Sequence, residues 1–314
     1  MPQEEDFKTI STIGTWEQLV EIENRYTNPS EEWVFRGDSC ERPLHSTLER
    51  LRKSQVDGSS NIRKLERELF GDFRRSFRIH ASTQETQAKE DDVLYWLSLM
   101  RHLGTPTRFL DFTYSLFIAA FFALEKQKQS HAAVIWLVSK TWLTKHNVKA
   151  MFETRSEING ELSGEALCKS WGHREPAAFD AIIWNASSPF KGVFPVNPLA
   201  YHQRLHLQQG LFLCPVNVEK SFSDNLRAYD GHSDKVLKLL IRPDRRNQIL
   251  LKLHRAGTNR ELLFPGLDGF AQGLESKTPA IHSNLEELSA NGARVKADDT
   301  GEFLWSEYYK NYCL

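Results

Sequence analysis

Three short clusters in this chain combine guanidinium, carboxylate, imidazole and amide groups at spacings that could serve one site. The first is Trp33-Val34-Phe35-Arg36-Gly37-Asp38-Ser39. Arg36 ends an apolar stretch that reads as a short strand, where its planar fork can hold a phosphate or a carboxylate. Gly37 lacks a Cβ, so a bound group could approach the backbone closely there. The second cluster runs from Arg101 to Asp111, RHLGTPTRFLD. Its turn, Gly104-Thr105-Pro106-Thr107, offers hydroxyls and amides ahead of what reads as a helix start, the arrangement of an anion site. Arg108 adds a cation for phosphate, Asp111 a base or charge stabiliser, and His102 a proton shuttle. The third cluster, Arg204 to Phe212, reads RLHLQQGLF. Arg204 supplies a further cation, and Gln208 an amide able to orient a ribose hydroxyl or a water. The competing reading is structural. Asp111 then caps a helix and pairs with Arg108, or the whole set forms a buried hydrogen-bond network joining two halves of the fold.

Such groups need rigid elements behind them. The run Leu116 to Leu124, LFIAAFFAL, is too short to span a bilayer, which takes roughly 20 residues, and reads as a buried core helix. Upstream, Thr15 caps an amphipathic helix over Trp16–Tyr26, and helical periods follow over 43–53, 61–82 and 90–103. The arginine-rich face of 61–82 reads as solvated, because Glu66, Glu68 and Asp72 interleave with it. Downstream, AAVIWLV within 131–139 and VLKLLI at 236–241 read as buried strands, with a short strand at 181–184. Residues 140–152 and 243–255 read as helices, 189–198 as a proline-bearing loop, and 261–274 as a turn and last helix. The expected class is α+β, with a helical N-terminal part around the central buried helix, packed on a small mixed or antiparallel sheet. One domain is expected over 15–275, with 153–180 as an insertion and 276–314 as a C-terminal extension.

Composition narrows the classes. With 314 residues, 40% hydrophobic, 26% charged and a formal net charge of −1, nothing favours nucleic acid or membrane globally. The acidic start MPQEEDFKTI lacks a signal-peptide pattern, and a cytoplasmic protein without membrane contact is expected. Cysteines 40, 168, 214 and 313 show neither a CxxC spacing nor a disulfide framework. No phosphate-loop, GxGxxG, GxSxG or HExxH motif is present. His202 and His206 stand four apart without an acid between them, so no metal is predicted.

The three clusters together resemble the FRG domain, a family named for its Phe-Arg-Gly motif, here Phe35-Arg36-Gly37. The second motif of that family, H-x-G-x-P-T-R-x-L-D, stands here from His102 to Asp111, with Arg101 and Phe112 as departures at positions not assigned to the chemistry. Arg204-Leu-x-x-Gln208-x-Gly210-x-Phe212 and Leu263-Phe264-Pro265-x-Leu267-Asp268-Gly269 are similar to further family elements. The resemblance implies a cytosolic prokaryotic or phage effector of toxin-like or antiphage systems, with an antitoxin or defence partner. The order of an early Arg, a Thr-bearing turn and a late Gln matches ADP-ribosyltransferases, implying NAD as substrate and a protein or nucleic-acid target. Gln208 lacks the carboxylate charge that an oxocarbenium ion wants, which leaves Asp111 to supply it. The alternatives are a non-catalytic sensor that binds a nucleotide or nucleic-acid phosphate, and, more weakly, a nuclease.

Overall fold

Alternation along the strands decides where everything else goes. The computed structural model describes residues 7–27, 29–54, 61–80, 92–128, 130–153, 176–185, 190–197 and 203–274. Its strands are β1 (Thr9–Ile13), β2 (Trp33–Asp38), β3 (Leu110–Thr113), β4 (Ala133–Ser139), β5 (Val193–Val196), β6 (Gly210–Pro215) and β7 (Val236–Ile241). They form one seven-stranded sheet in the order β1-β7-β4-β2-β3-β6-β5. Only β1 with β7 is parallel; the other pairings are antiparallel. The α+β class is therefore right, but the sheet is not small.

The helices are α1 (Trp16–Tyr26), α2 (Thr47–Ser54), α3 (Ile62–His80), α4 (Val93–His102), α5 (Leu116–Glu125) and α6 (Lys140–Glu153). They continue with α7 (Pro176–Phe179), α8 (Gln203–Leu207), α9 (Phe222–Arg227), α10 (His232–Lys235), α11 (Arg246–Arg255) and α12 (Arg260–Leu263). None among the described residues is long and apolar enough to cross a membrane.

Both faces of the sheet are covered. Leu110, Phe112, Val134, Trp136, Leu211 and Leu213 point to one face, where Trp142 and Leu143 of α6 and Phe222 and Leu226 of α9 pack on them. The other face carries two separate helical layers. Phe35, Ile135 and Leu239 lie under α1, α5 and α11. Phe212 and Cys214 lie under α3 and α4. Phe35 pairs in register with Thr113, and Asp111 with Phe212, so Asp111 and Thr113 share this face and occupy the seam between the two layers.

Gly37 sets how close α5 can come. A Cβ there would stand 1.9 Å from the Ala119 carbonyl oxygen and 2.6 Å from the Ala123 nitrogen. The glycine of the Phe-Arg-Gly triplet thus serves helix-on-strand contact.

Four local expectations also fail. The segment after the Thr-bearing turn is β3, not a helix start; α5 begins later and is capped by Ser115, whose side chain accepts from the Ile118 amide. Residues 181–184 lie in a π-helical turn, Asp180–Trp184. The proline-bearing loop contains β5, an edge strand in which Pro195 is tolerated because one side of an edge needs no donor. β1 had no expected counterpart. The stretches 154–175 and 275–314, which hold most of the expected insertion and the C-terminal extension, lie outside the described residues.

Two outcomes test this packing. Gly37→Ala should cost about 3 kcal/mol by urea denaturation, since backbone rather than a flexible side chain blocks the new methyl. A loss below about 0.5 kcal/mol would contradict it. Asp180 has a buried, unpartnered Oδ1, and burial, with Asp92 nearby, pushes its carboxyl up to about 6. The native state then holds a proton that the unfolded state releases, so this burden falls as pH drops through that value. Asp180→Asn should raise Tm near pH 8, with the gap to wild type narrowing as pH falls from about 6 towards 4; equal Tm near pH 8 would refute the assignment.

Candidate functional site

The seam between the two helical layers opens into a cavity of about 920 Å³. That volume lies within the range of small-molecule clefts, roughly 300–1,000 Å³. The sheet supplies its floor, α4 and α5 its ends, and α8, α12 and residues 264–272 its outer wall. Five basic side chains line it, Arg36, Arg101, Lys126, Arg204 and Arg260, against the carboxylates Asp111, Glu125 and Asp268.

Of the residues singled out in the sequence, the cavity gathers Arg36, Gly37, His102, Asp111, Arg204 and Gln208. They come from strands and helices far apart in the chain, and β-register is what assembles them. Asp111 presents its carboxylate from β3 with 47% of the side chain exposed. Arg101 Nε donates to both of its oxygens at 3.1 and 3.0 Å, and Nη2 donates to Oδ2. Burial opposes ionisation of Asp111. The Arg101 guanidinium, then Arg36 and Arg204, outweigh burial and hold the carboxyl below the usual range. Asp111 is therefore a fixed negative charge at neutral pH and a poor proton acceptor. It can stabilise a cation; it suits general-base work badly.

Arg36 closes the gap where β2 and β3 part. These strands share one register pair, and Arg36 Nη1 donates to the Asp111 carbonyl at 2.8 Å. Its Nε and Nη2 donate to Asp38 at 3.2 and 3.4 Å. Asp38 is buried and also accepts from Arg42 Nη2 at 2.9 Å. Burial raises its carboxyl, but Arg36 and Arg42 prevail and hold it low.

Gln208 sits between α8 and β6, where Gln209 adopts a left-handed φ of 46° to turn the chain. Its Nε2 donates to the Leu263 carbonyl at 3.0 Å, fastening the outer wall, and its backbone carbonyl accepts from Thr113 Oγ1 at 2.8 Å. His102 ends α4 at an exposed position on the cavity. Arg204 differs from the other arginines. Its guanidinium lies 4.4 Å from the Phe264 ring centroid and has no hydrogen bond or ion pair among the described residues. Arg260 lies over the same ring at 4.3 Å but is bound to Glu125 and Gln272.

Three expected ligands turn away. Arg108 is fully buried, pairs bidentately with Glu66, and reaches the Pro215 and Val216 carbonyls at 3.3 and 3.4 Å. It braces α3 against the end of β6 and cannot meet a phosphate. Thr107 is buried; its amide donates to Thr47 Oγ1 at 3.0 Å, and its carbonyl accepts from the Leu48 amide at 3.2 Å. The Thr105 amide donates to the Met100 carbonyl at 2.9 Å and that of Gly104 to Arg101 at 3.2 Å. The turn's amides finish α4 and dock α2, so no anion nest remains.

Arg101 and Asp38 were missed. Leu94, Leu97 and Arg101 follow one stripe of α4, and a charge placed on a buried stripe calls for a partner. Arg101 is such a charge. Cys214 is buried and its thiol pushed up to about 12, so thiol chemistry is excluded there. His206 lies on α8, His202 lies outside the described residues, and no group of three metal-ligating side chains occurs among the described residues.

These features define a mixed α/β protein with a basic, arginine-lined cavity at a sheet seam. The FRG domain family matches residues 31–132, from β2 through α5. No curated protein and no solved structure matches the chain. Arg204, Gln208 and the outer wall lie beyond the matched stretch.

The two kinds of arginine are separable by mutation. Arg108→Ala should cost about 3–5 kcal/mol in urea, because Glu66 is left buried and unpaired. Arg108→Met with Glu66→Leu should recover most of that loss. Arg204→Ala should leave Tm within about 1 °C of wild type, a shift that corresponds to under about 1 kcal/mol for a chain of this length. A collapse of Tm in Arg204→Ala would make it a brace as well.

Proposed function

We propose that the cavity binds a phosphate-bearing nucleotide. The observation that carries this is Arg204, held in place by a ring that does not neutralise it, facing a cavity of about 920 Å³ with an excess of basic side chains. A phosphate accepts two parallel hydrogen bonds from a guanidinium fork, and such charge-assisted bonds contribute about 1.5–3 kcal/mol each. Apolar lining from Phe122, Phe212 and Phe264 suits a base or nicotinamide ring.

A second reading adds chemistry. Asp111 is ionised and half open to the cavity, so it could stabilise positive charge at the glycosidic carbon of NAD, in a transfer resembling ADP-ribosylation. Arg101 already draws on that charge, and Gln208 already spends its amide nitrogen on Leu263. Binding is therefore the leading function, and glycosyl transfer from NAD the second. Such a site fits an effector that senses or consumes a cellular nucleotide, with a protein or nucleic-acid target and a defence or antitoxin partner as the wider role.

Calorimetric titration of the full chain with AMP, ADP and NAD separates the readings. Binding that weakens with salt, and about tenfold or more in Arg204→Ala, is the expected result. Nicotinamide release from NAD, lost in Asp111→Asn while NAD still binds, would promote the second reading. No heat with any of the three nucleotides would overturn both.

A further inference from the structure

Positive charge does not stop at the cavity wall. Arg36 and Arg101 belong to the cavity lining, and beyond them stand Arg42 and Arg50. The connection runs through Thr47, whose hydroxyl accepts from Arg101 Nη1 at 3.2 Å, and Arg50 follows three residues later on α2. Residues spaced so lie on one helix face. Three guanidinium groups therefore hold two carboxylates, Asp38 and Asp111, and Arg50 adds a fourth positive charge beside them.

The four are not equally occupied. Arg36 and Arg42 share Asp38, and Arg101 holds Asp111. Arg50 is exposed and makes a single hydrogen bond among the described residues, from Nη1 to the His45 carbonyl at 2.8 Å. Burial, followed by Arg36, Arg42 and Arg101, disfavours its charged form. Arg36 and Arg101 show only 14% and 16% of their side chains to solvent, so water screens the inner part of the cluster poorly, whereas Arg42 and Arg50 face it. Like charges crowded at one place are relieved by a shared anion.

We propose that Arg42 and Arg50, with Arg36 and Arg101, form a second anion subsite continuous with the cavity, which takes the second phosphate of a diphosphate-bearing nucleotide. The proposal rests on the nucleotide reading for its ligand class, while the subsite itself can be tested without a nucleoside. A nucleoside diphosphate or a dinucleotide would place one phosphate at this arginine cluster and direct the rest of the molecule along the seam towards Arg204. Neutralising the cluster frees Asp111 from part of the positive field around it.

The test uses calorimetry on the full chain with inorganic pyrophosphate, inorganic phosphate, AMP and ADP. Pyrophosphate should bind more tightly than phosphate, and ADP about tenfold more tightly than AMP. Arg50→Gln and Arg42→Gln should each weaken pyrophosphate about tenfold, with circular dichroism confirming the fold. Arg75→Gln, which removes an exposed arginine paired with Asp72 on α3, should change nothing. Wild-type affinity for pyrophosphate in Arg50→Gln, or no binding of pyrophosphate at all, overturns the subsite. If pyrophosphate binds through Arg50 but neither AMP nor ADP binds, the subsite stands and the nucleotide reading falls. If AMP binds and ADP gains nothing, the reverse holds. A thymidine oligonucleotide that binds through Arg50 more tightly than ADP would overturn the diphosphate class in favour of a nucleic-acid backbone.

Discussion

The seam over β3 is the constraint on which the site depends. Strand alternation sends Leu110 and Phe112 into one core, so Asp111 and Thr113 must face the other side. There the two helical layers do not meet, because α5 packs on β2 while α3 and α4 pack beside β6. A carboxylate at that position is only half exposed, and its charge still needs a partner. Arg101 and Arg36 resolve the conflict, one through its fork on the carboxylate and one through the carbonyl behind it. The cavity is what remains when two cores on one sheet face are held apart by a polar residue between them.

Two ion pairs illustrate how burial divides structure from function. Arg108 and Glu66 are both nearly free of solvent, with 2% and 1% of their side chains exposed. In that setting every lone pair and proton must be matched, and the geometry is indeed bidentate with two further carbonyls. Such a pair can brace an interface and nothing else. Arg101 and Asp111 share the same chemistry, yet Asp111 keeps 47% exposure and a free side facing the cavity. The sequence motif places Arg108 and Asp111 three residues apart, and only exposure tells which of them can meet a ligand.

The sequence revealed the large features and misjudged the small ones for definite reasons. The apolar run that forms α5 and the continuous strand β4 were plain, because their signals span many residues. The convergence of Arg36, Asp111 and Gln208 came from motif resemblance, and the cavity gathers all three. β1 and β5 are short edge strands of weak pattern, so local signals could not find them. The anion nest failed because free amides were assumed where α4 needed a terminus and α2 a docking point. Gly37 was read for a ligand, and its missing side chain also makes room for the backbone of α5. Arg101 was set aside as a departure from a motif, although its helical stripe already marked it as a buried charge.

Phe264 explains why Arg204 can remain available. A guanidinium paired one-to-one with a carboxylate is both positioned and neutralised, as Arg260 is against Glu125. An aromatic ring positions without neutralising, since its quadrupole attracts the cation but accepts none of its in-plane hydrogen bonds. Arg204 is thus oriented at a modest gain, about 0.5–2 kcal/mol, while its donors stay open. Gln208 fixes the carbonyl of Leu263, the residue before Phe264, so the segment carrying the ring that holds Arg204 is itself tied to the turn that enters β6. The amide that looked like a catalytic group is better understood as the tie that keeps the anion anchor aimed inward.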